Sequence, residues 1–169
     1  MHPLSRFIRD VPDFPRPGIL FRDIAPLLRT HLEPTVEALA ELVPGSVWGG
    51  IDAVAGIESR GFILASALAL RLGKGFVPIR KKGKLPPPVV DIDYSLEYGS
   101  GVLEMQRGSG TLALIDDVVA TGGTMRASAE LCSRAGYEVC ALLALVDLRL
   151  SGENLEWRGL PLRYVMHYG

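Results

Sequence analysis

The chain has 169 residues, a length that favours one domain. Its 18 lysines and arginines stand against 19 aspartates and glutamates, and the net charge of −1 excludes a protein that holds nucleic acid mainly through bulk positive charge. With 48% hydrophobic and 22% charged residues, the composition is globular and excludes a disordered protein.

The first third of the chain predicts a loop, a helix and a strand. Residues 10–18 hold three prolines and a glycine, which is typical of a loop. Residues 32–43 repeat apolar side chains at helical spacing, and Pro34 fits the first turn of that helix. The apolar run at 52–55, ended by Gly56, predicts a short strand.

The middle of the chain predicts a helix followed by strands and a basic loop. Residues 60–72 have the pattern of a helix, and the glycine that follows them is a typical helix end. A second short strand is predicted at 76–79. Residues 80–88 form a basic loop rich in proline. Residues 94–98 and 102–106 predict a pair of antiparallel strands joined through a glycine-rich turn.

The last third predicts three more strands and a helix. Residues 111–115 form an apolar strand, 120–124 a loop of small residues, and 124–135 a helix. Further strands are predicted at 138–148 and 162–166. Alternating strands and helices predict an α/β fold with a mainly parallel sheet flanked by helices, in a single domain over residues 1–169.

Signals of cellular compartment are sparse. Cys132 and Cys140 are the two cysteines and lack metal-finger spacing, so reduced, buried thiols are expected. Residues 1–9 contain no apolar core of a secretory signal, and apolar runs such as 141–146 are too short to cross a bilayer. We therefore expect a cytoplasmic protein that binds neither membrane nor nucleic acid.

The strongest chemical motif follows the strand at 111–115. Asp116 and Asp117 come directly after it, and Thr121-Gly122-Gly123-Thr124 then opens a helix. Backbone amides at a helix start, together with threonine hydroxyls, are suited to a phosphate monoester. A glycine pair before a helix is as often a plain turn, but the acidic pair at a fixed offset favours a ligand site. Neither a P-loop nor a dinucleotide-binding glycine motif is present.

The run 114–124 resembles the phosphoribosyl pyrophosphate motif of type I phosphoribosyltransferases. The resemblance implies the fold of that family, with a small base-binding hood at 1–30 and a flexible lid loop at 80–104. It places the 5′-phosphate on Ala120, Thr121, Gly122, Gly123 and Thr124, and the ribose on Asp116 and Asp117. It also implies Mg²⁺ that is carried by the pyrophosphate of the substrate, with no direct protein ligand.

Four more segments resemble signatures of the family members that use adenine, at 14–23, 56–62, 79–86 and 94–99. The substrates implied are adenine and phosphoribosyl pyrophosphate, and the products are AMP and pyrophosphate, in purine salvage. Adenine is placed on Leu20, Phe21 and Arg22. Pyrophosphate is placed on Glu58, Ser59, Arg60, Arg80, Lys81 and Lys84.

Proton transfer to or from the purine is assigned by the resemblance to Glu97, with Tyr98 as a possible partner. Members that use 6-oxopurines carry an aspartate at the first position of the phosphate loop, where this chain has Ala120. The resemblance also implies a homodimer in which Arg80 reaches across the interface. Taken alone, Arg60, the basic run and Glu97 are more typical of solvated surface charge than of a ligand site.

Two other functions are compatible with such a fold. One is a regulator that senses purines or phosphoribosyl pyrophosphate, but residues 1–30 have prolines where a helix-turn-helix would need helices. The other is a transferase for xanthine, guanine or orotate, against which Ala120 and the 14–23 segment argue.

Overall fold

The computed structural model describes residues 2–96 and 99–168. After a 3-10 turn at Pro3–Phe7, the elements are β1 (Arg9–Val11), β2 (Phe21–Asp23), α1 (Ala25–Glu41), α2 (Gly45–Trp48), β3 (Ala53–Ile57), α3 (Arg60–Leu72), β4 (Gly75–Lys81), β5 (Val89–Leu96), β6 (Gly99–Gln106), β7 (Gly110–Val119), α4 (Gly123–Ala135), β8 (Tyr137–Asp147), β9 (Glu156–Trp157) and β10 (Leu160–His167).

Eight strands form one sheet in the order β5-β6-β4-β3-β7-β8-β10-β9, and β1 and β2 form a separate antiparallel pair. The five neighbouring strands β4, β3, β7, β8 and β10 pair in parallel, whereas β6 pairs antiparallel with β4 and β5, and β9 antiparallel with β10. The predicted α/β fold with a mainly parallel sheet is confirmed.

The core lies on both faces of this sheet. Along β7, Ala113 and Ile115 pack in the cluster that includes side chains of α1 and α3, while Leu112 and Leu114 pack in the cluster that includes α4. A strand covered on both faces cannot alternate apolar with polar residues, which is why β7 and β8 are long apolar runs in the sequence. The sheet is therefore the middle of three layers.

The two helices that begin next to the predicted site have the expected boundaries. The helix predicted at 60–72 is α3, and the helix predicted at 124–135 is α4, which starts one residue earlier. Both end at a glycine in the left-handed conformation, Gly73 and Gly136, where a side chain would be strained.

Several predicted boundaries were wrong, among them the hairpin strands, which begin at Val89 and Gly99 and not at residues 94 and 102. Residues 10 and 11 belong to β1 instead of a loop, because β1 pairs with β2 and ion pairs join Arg9 to Asp23 and Asp10 to Arg22. Strand β7 continues to Val119, so the acidic pair lies within the strand and not beyond it. Helix α1 begins at Ala25, before the predicted 32–43, and is broken at His31.

The hood and lid of the sequence analysis remain predictions, but their secondary structure is clear. Within 1–30 the described residues form the 3-10 turn, the β1–β2 pair and the first turns of α1. The segment 80–104 contains the end of β4 and most of an antiparallel hairpin, β5–β6, at the sheet edge. None of the helices within 2–96 and 99–168 is long and apolar enough to cross a membrane.

Candidate active site

Two strand ends meet at the carboxyl edge of the sheet. Gly56 of β3 is paired with Ile115 of β7, so the segments that follow these strands emerge side by side. Helix α3 then lies directly against β7: a Cβ atom on Gly61 would stand 3.2 Å from Asp116 Oδ1 and 3.3 Å from the Ile115 carbonyl oxygen. The absence of a side chain at Gly61 allows this contact, which brings residues 58–60 next to the acidic pair.

The predicted phosphate loop lies between β7 and α4. Gly122 has a φ of +85° and immediately precedes α4, and a Cβ atom there would stand 2.3 Å from Leu155 Cδ1. Only glycine therefore fits this position. The first amides of α4 have no acceptor within the helix and point out of its N-terminus, beside the half-buried Thr121 and Thr124.

The two acidic residues differ in their surroundings. Burial and the neighbouring Asp117 carboxylate raise the pKa of Asp116 well above its ordinary value. The Asp117 amide donates a hydrogen bond to Asp116 Oδ1 at 2.9 Å. Asp117 is only 7% exposed, and its Oδ2 accepts no hydrogen bond from the described residues.

Arg60 connects the acidic pair to the hood. Its Nε lies 2.7 Å from Asp117 Oδ2, an ion-pair distance, and its guanidinium carbon lies 5.1 Å from the centre of the Phe21 ring. Arg60 is the first residue of α3, directly after Ser59. A cation thus stands where the N-terminus of a helix, the acidic pair and an aromatic face come together.

A cavity of about 460 Å³ lies between the hood and the sheet edge. It is lined by Gly18, Ile19, Leu20, Phe21, Arg22, Arg60, Val118, Ala120, Leu148, Leu150 and Tyr168. The three residues predicted to bind the base, Leu20, Phe21 and Arg22, all belong to it. Ala120 lines this cavity and is also the first residue of the phosphate loop.

Four lining residues escaped the sequence analysis: Val118, Leu148, Leu150 and Tyr168. The first belongs to β7, the next two follow the end of β8, and Tyr168 follows β10, which pairs with β8. Ligands in open α/β sheets bind at the carboxyl ends of strands. Applied to each predicted strand in turn, that rule would have pointed to Leu148.

The basic loop at 80–88, here called the basic segment, contacts Glu58, which directly follows β3. Glu58 Oε2 accepts hydrogen bonds from the Lys81 amide at 3.0 Å and from Arg80 Nε at 3.2 Å. Burial raises the pKa of Glu58, but these two donors outweigh it and the pKa is lowered overall. The Glu58 amide donates a hydrogen bond to the Ile79 carbonyl of β4. Glu58 therefore contacts the basic segment with its side chain and β4 with its backbone.

A second carboxylate organises the loop after β4 and was missed by the sequence analysis. Glu104 of β6 is 3% exposed and accepts hydrogen bonds from the amides of Gly83, Lys84 and Leu85, the latter two at 2.7 Å. The Gly83 amide is the largest cause of a pKa below the ordinary value. Glu104 thereby fixes the backbone that carries Lys84.

Two predicted residues, Glu97 and Tyr98, lie outside the described residues. Within the part of the chain that the structure describes, no group of three or more histidine, cysteine or acidic side chains is arranged to hold a metal ion.

Comparison with known proteins identifies the family. The model of the phosphoribosyl transferase domain matches residues 30–158. The chain is 48% identical over 168 residues to the adenine phosphoribosyltransferase of Hydrogenovibrio crunogenus, a match that covers 99% of this chain and 97% of the relative. It is 50% identical over 170 residues to that of a Synechococcus strain, with 96% of each chain covered.

Solved structures agree with the sequence relatives. The adenine phosphoribosyltransferase of Rhodothermus marinus superposes with a TM-score of 0.86 at 44% identity and covers 97% of this chain and 96% of its own. That of Saccharomyces cerevisiae, solved with an imino-altritol bisphosphate and adenine, gives a TM-score of 0.84 at 33% identity, with 96% of each chain covered. The fold, the arrangement of the site and these similarities show that the chain belongs to the adenine phosphoribosyltransferases within the phosphoribosyl transferase family.

Proposed function

We propose that this protein transfers the phosphoribosyl group of phosphoribosyl pyrophosphate to adenine, giving AMP and pyrophosphate in purine salvage. One observation carries the proposal: Ala120 belongs both to the loop at the start of α4 and to the cavity behind Phe21. A phosphate held by the loop and a purine held in the cavity are then one ribose apart.

The phosphate and ribose subsites follow from the loop and the acidic pair. The residues from Ala120 to Thr124 bind the 5′-phosphate through the amides of α4 and the hydroxyls of Thr121 and Thr124. Asp116 and Asp117 accept hydrogen bonds from the ribose 2′- and 3′-hydroxyls. Arg60 Nε already lies 2.7 Å from Asp117 Oδ2, so the ribose hydroxyls share this carboxylate with the arginine. Fixed negative charge here also stabilises an oxocarbenium-like sugar.

The base subsite is the apolar cavity. Phe21 stacks on the purine, and the backbones of Leu20 and Arg22 read its exocyclic amine and ring nitrogens. The Arg22 guanidinium is already engaged within the protein: its carbon lies 4.1 Å from the centre of the Tyr168 ring, and it pairs with Asp10. Its contribution to adenine therefore comes from the main chain.

The pyrophosphate subsite combines residues at the start of α3 with the basic segment. Ser59 and Arg60 supply donors beside the sugar, and Arg80, Lys81 and Lys84 supply positive charge. Glu58 serves this subsite indirectly, because its carboxylate holds Arg80 and the Lys81 amide.

Mg²⁺ fits this site as a companion of the pyrophosphate. As the family resemblance implies, the diphosphate oxygens would be its main ligands, and Asp117 is already paired with Arg60. Bound there, the ion neutralises charge on the leaving group. Glu97 exchanges the proton with the purine ring, as the family resemblance implies.

The proposal includes a homodimer in the cytoplasm. The exposed side chains of Ile63 and Leu70 on α3 offer an apolar surface for a second copy. Cys132 and Cys140 are unpaired, which suits a reducing compartment. Light scattering of the purified chain tests the dimer.

The activity is tested by pyrophosphate release from phosphoribosyl pyrophosphate and magnesium with adenine, hypoxanthine or guanine. We expect adenine to be used far faster than the others. A faster reaction with guanine would contradict the base assignment. Binding of adenine and phosphoribosyl pyrophosphate without any turnover would instead favour a sensor.

A further inference from the structure

We propose that Arg149 is a positioning residue that holds one wall of the base cavity and thereby sets the affinity for adenine. The inference rests on the proposed function. It concerns the turn that follows β8, here called the β8 turn and defined as residues 147–150. Neither Arg149 nor its partners line the cavity, but the residues on either side of Arg149 do.

The backbone of the β8 turn is strained. Arg149 has a φ of +47°, in the left-handed region that non-glycine residues rarely adopt. Such a conformation persists only where surrounding contacts enforce it, and it is often found at functional sites. Leu148 and Leu150, the neighbours of this residue on either side, both line the base cavity.

The contacts that enforce it come from two strands. Asp147, at the end of β8 and 4% exposed, accepts the Arg149 amide at 2.9 Å and the Arg149 guanidinium at 3.3 Å. Arg149 Nη2 also donates to the Tyr164 hydroxyl of β10 at 2.8 Å. A planar guanidinium with two fixed acceptors has little freedom to turn, so the strained residue is locked in place.

Backbone hydrogen bonds connect the β8 turn to neighbouring residues that line the cavity. The Leu148 amide donates to the Val119 carbonyl at 2.8 Å, and the Leu150 amide donates to the Ala120 carbonyl at 3.0 Å. The Tyr168 amide donates to the Asp147 carbonyl at 2.9 Å. Three lining side chains, those of Leu148, Leu150 and Tyr168, are therefore anchored by backbone hydrogen bonds where the β8 turn meets the ends of β7 and β10.

The geometry points to an effect chiefly on adenine. The β8 turn contributes Leu148 and Leu150 to the base cavity, whereas the ribose and pyrophosphate residues are carried by β7, α3 and the basic segment. The turn reaches the phosphate loop through one bond, from the Leu150 amide to the Ala120 carbonyl. A looser turn should therefore raise the KM for adenine by a larger factor than the KM for phosphoribosyl pyrophosphate, with kcat little changed.

The test compares Arg149→Ala with a matched control, Arg158→Ala. Arg158 also has a positive φ, of +49°, and also pairs with a carboxylate, Glu130 at 2.8 Å, but it lies at the β9–β10 turn and does not line the cavity. We expect Arg149→Ala to raise the KM for adenine about fourfold, the effect of losing roughly one buried methylene of contact with the base. Arg158→Ala should leave both KM values unchanged.

A second variant covers the case in which Arg149→Ala does not fold. Tyr164→Phe removes one acceptor from the guanidinium and keeps the ring, and it should raise the KM for adenine in the same direction by a smaller factor. The inference is overturned if folded Arg149→Ala has the KM for adenine of the parent protein, or if both KM values rise by the same factor. It is likewise overturned if Tyr164→Phe, as the only folded variant, leaves the KM for adenine unchanged. Failure of the parent protein to use adenine at all would instead refute the proposed function.

Discussion

Arg60 and Asp117 come from different strand–helix units, yet Arg60 Nε lies 2.7 Å from Asp117 Oδ2. The carboxylate is almost fully buried, whereas the arginine side chain is one-third exposed. In the proposed reaction the arginine faces the pyrophosphate and the aspartate faces the ribose. The two halves of phosphoribosyl pyrophosphate are therefore recognised by groups that already contact each other.

Arg60→Gln tests this pair. Loss of a charge-assisted contact to the leaving group should lower kcat/KM for phosphoribosyl pyrophosphate about 100-fold. The variant should also melt at a lower temperature, because Asp117 stays buried without its cation. Steady-state kinetics and a thermal melt measure the two effects. Arg71→Gln is the control: this arginine of α3 pairs with Glu37 at the surface, and its loss should leave the melting temperature and the kinetics almost unchanged.

Asp116→Asn should stabilise the protein and damage its activity. The pKa of Asp116 is raised by folding, so the folded state is favoured when the group is protonated and loses stability as the pH rises through the folded-state pKa. At pH 7 the asparagine variant should therefore melt above the parent, and the gap should close as the pH falls. Turnover should drop about tenfold or more, since a charged acceptor for the ribose is gone.

Asp52→Asn is the control for the Asp116 experiment. The pKa of Asp52 is lowered, mainly by the hydrogen bond from the Thr111 amide, and Asp52 lies at the start of β3, far along the strand from the site. Its stabilising contribution is present above the unfolded pKa and lost on acidification, the opposite sign to Asp116. A lower melting temperature for Asp116→Asn at pH 7 would contradict the assignment.

Glu104→Gln should weaken the binding of phosphoribosyl pyrophosphate. A neutral amide cannot hold the three loop amides as strongly as the carboxylate does, so Lys84 is less well placed. We expect the KM for phosphoribosyl pyrophosphate to rise about tenfold, as for loss of one hydrogen bond to a charged group, and the KM for adenine to stay constant. Asp91→Asn, at the half-exposed carboxylate opposite Glu104 on β5, should change neither.

Gly122→Ala should abolish phosphate binding and lower stability. The methyl group would collide with Leu155, and the backbone would adopt a φ that alanine disfavours by about 1–2 kcal/mol. Gly152→Ala separates the two causes, because Gly152 has a φ of +74° and open space around its Cα. Equal melting temperatures and equal KM values for the two variants would show that the contact with Leu155 is unimportant.

Glu97→Gln should lower kcat at least about tenfold, the lower range for loss of a general acid or base, while the KM values change little. Glu138→Gln is a suitable control, since Glu138 is an exposed carboxylate near the amino end of β8. An unchanged kcat in Glu97→Gln would remove Glu97 from the mechanism.

The sequence predicted best those elements whose boundaries are set by residues close together in the chain. Helices α3 and α4 begin and end close to the expected residues, since the glycines at positions 73 and 136 are sufficient stop signals. The acidic pair and the glycine loop were recognised because their spacing is fixed within one strand–loop–helix unit. The family and fold that these motifs suggested are confirmed.

Features that depend on distant contacts were not predictable in this way. Strand β1 forms because β2 is brought beside it, and nothing in residues 9–11 alone distinguishes them from a loop. Glu104 looks like one more charge on a strand until the chain folds and three amides converge on it. Tyr168 lines the base cavity through the pairing of β10 with β8, a relation between residues far apart in the chain.

The close packing of Gly61 against Asp116 fixes the distance between the start of α3 and strand β7 at the candidate active site. A Cβ atom at Gly61 would stand only 3.2 Å from Asp116 Oδ1, so the glycine lets the start of α3 lie this close to β7, and the ion pair between Arg60 and Asp117 holds it there. In the proposed reaction, the spacing between the sugar and the leaving group is thus set by this backbone contact together with one ion pair. A ligand whose anionic group sits one atom closer to or farther from its ribose would meet donors at the wrong distance.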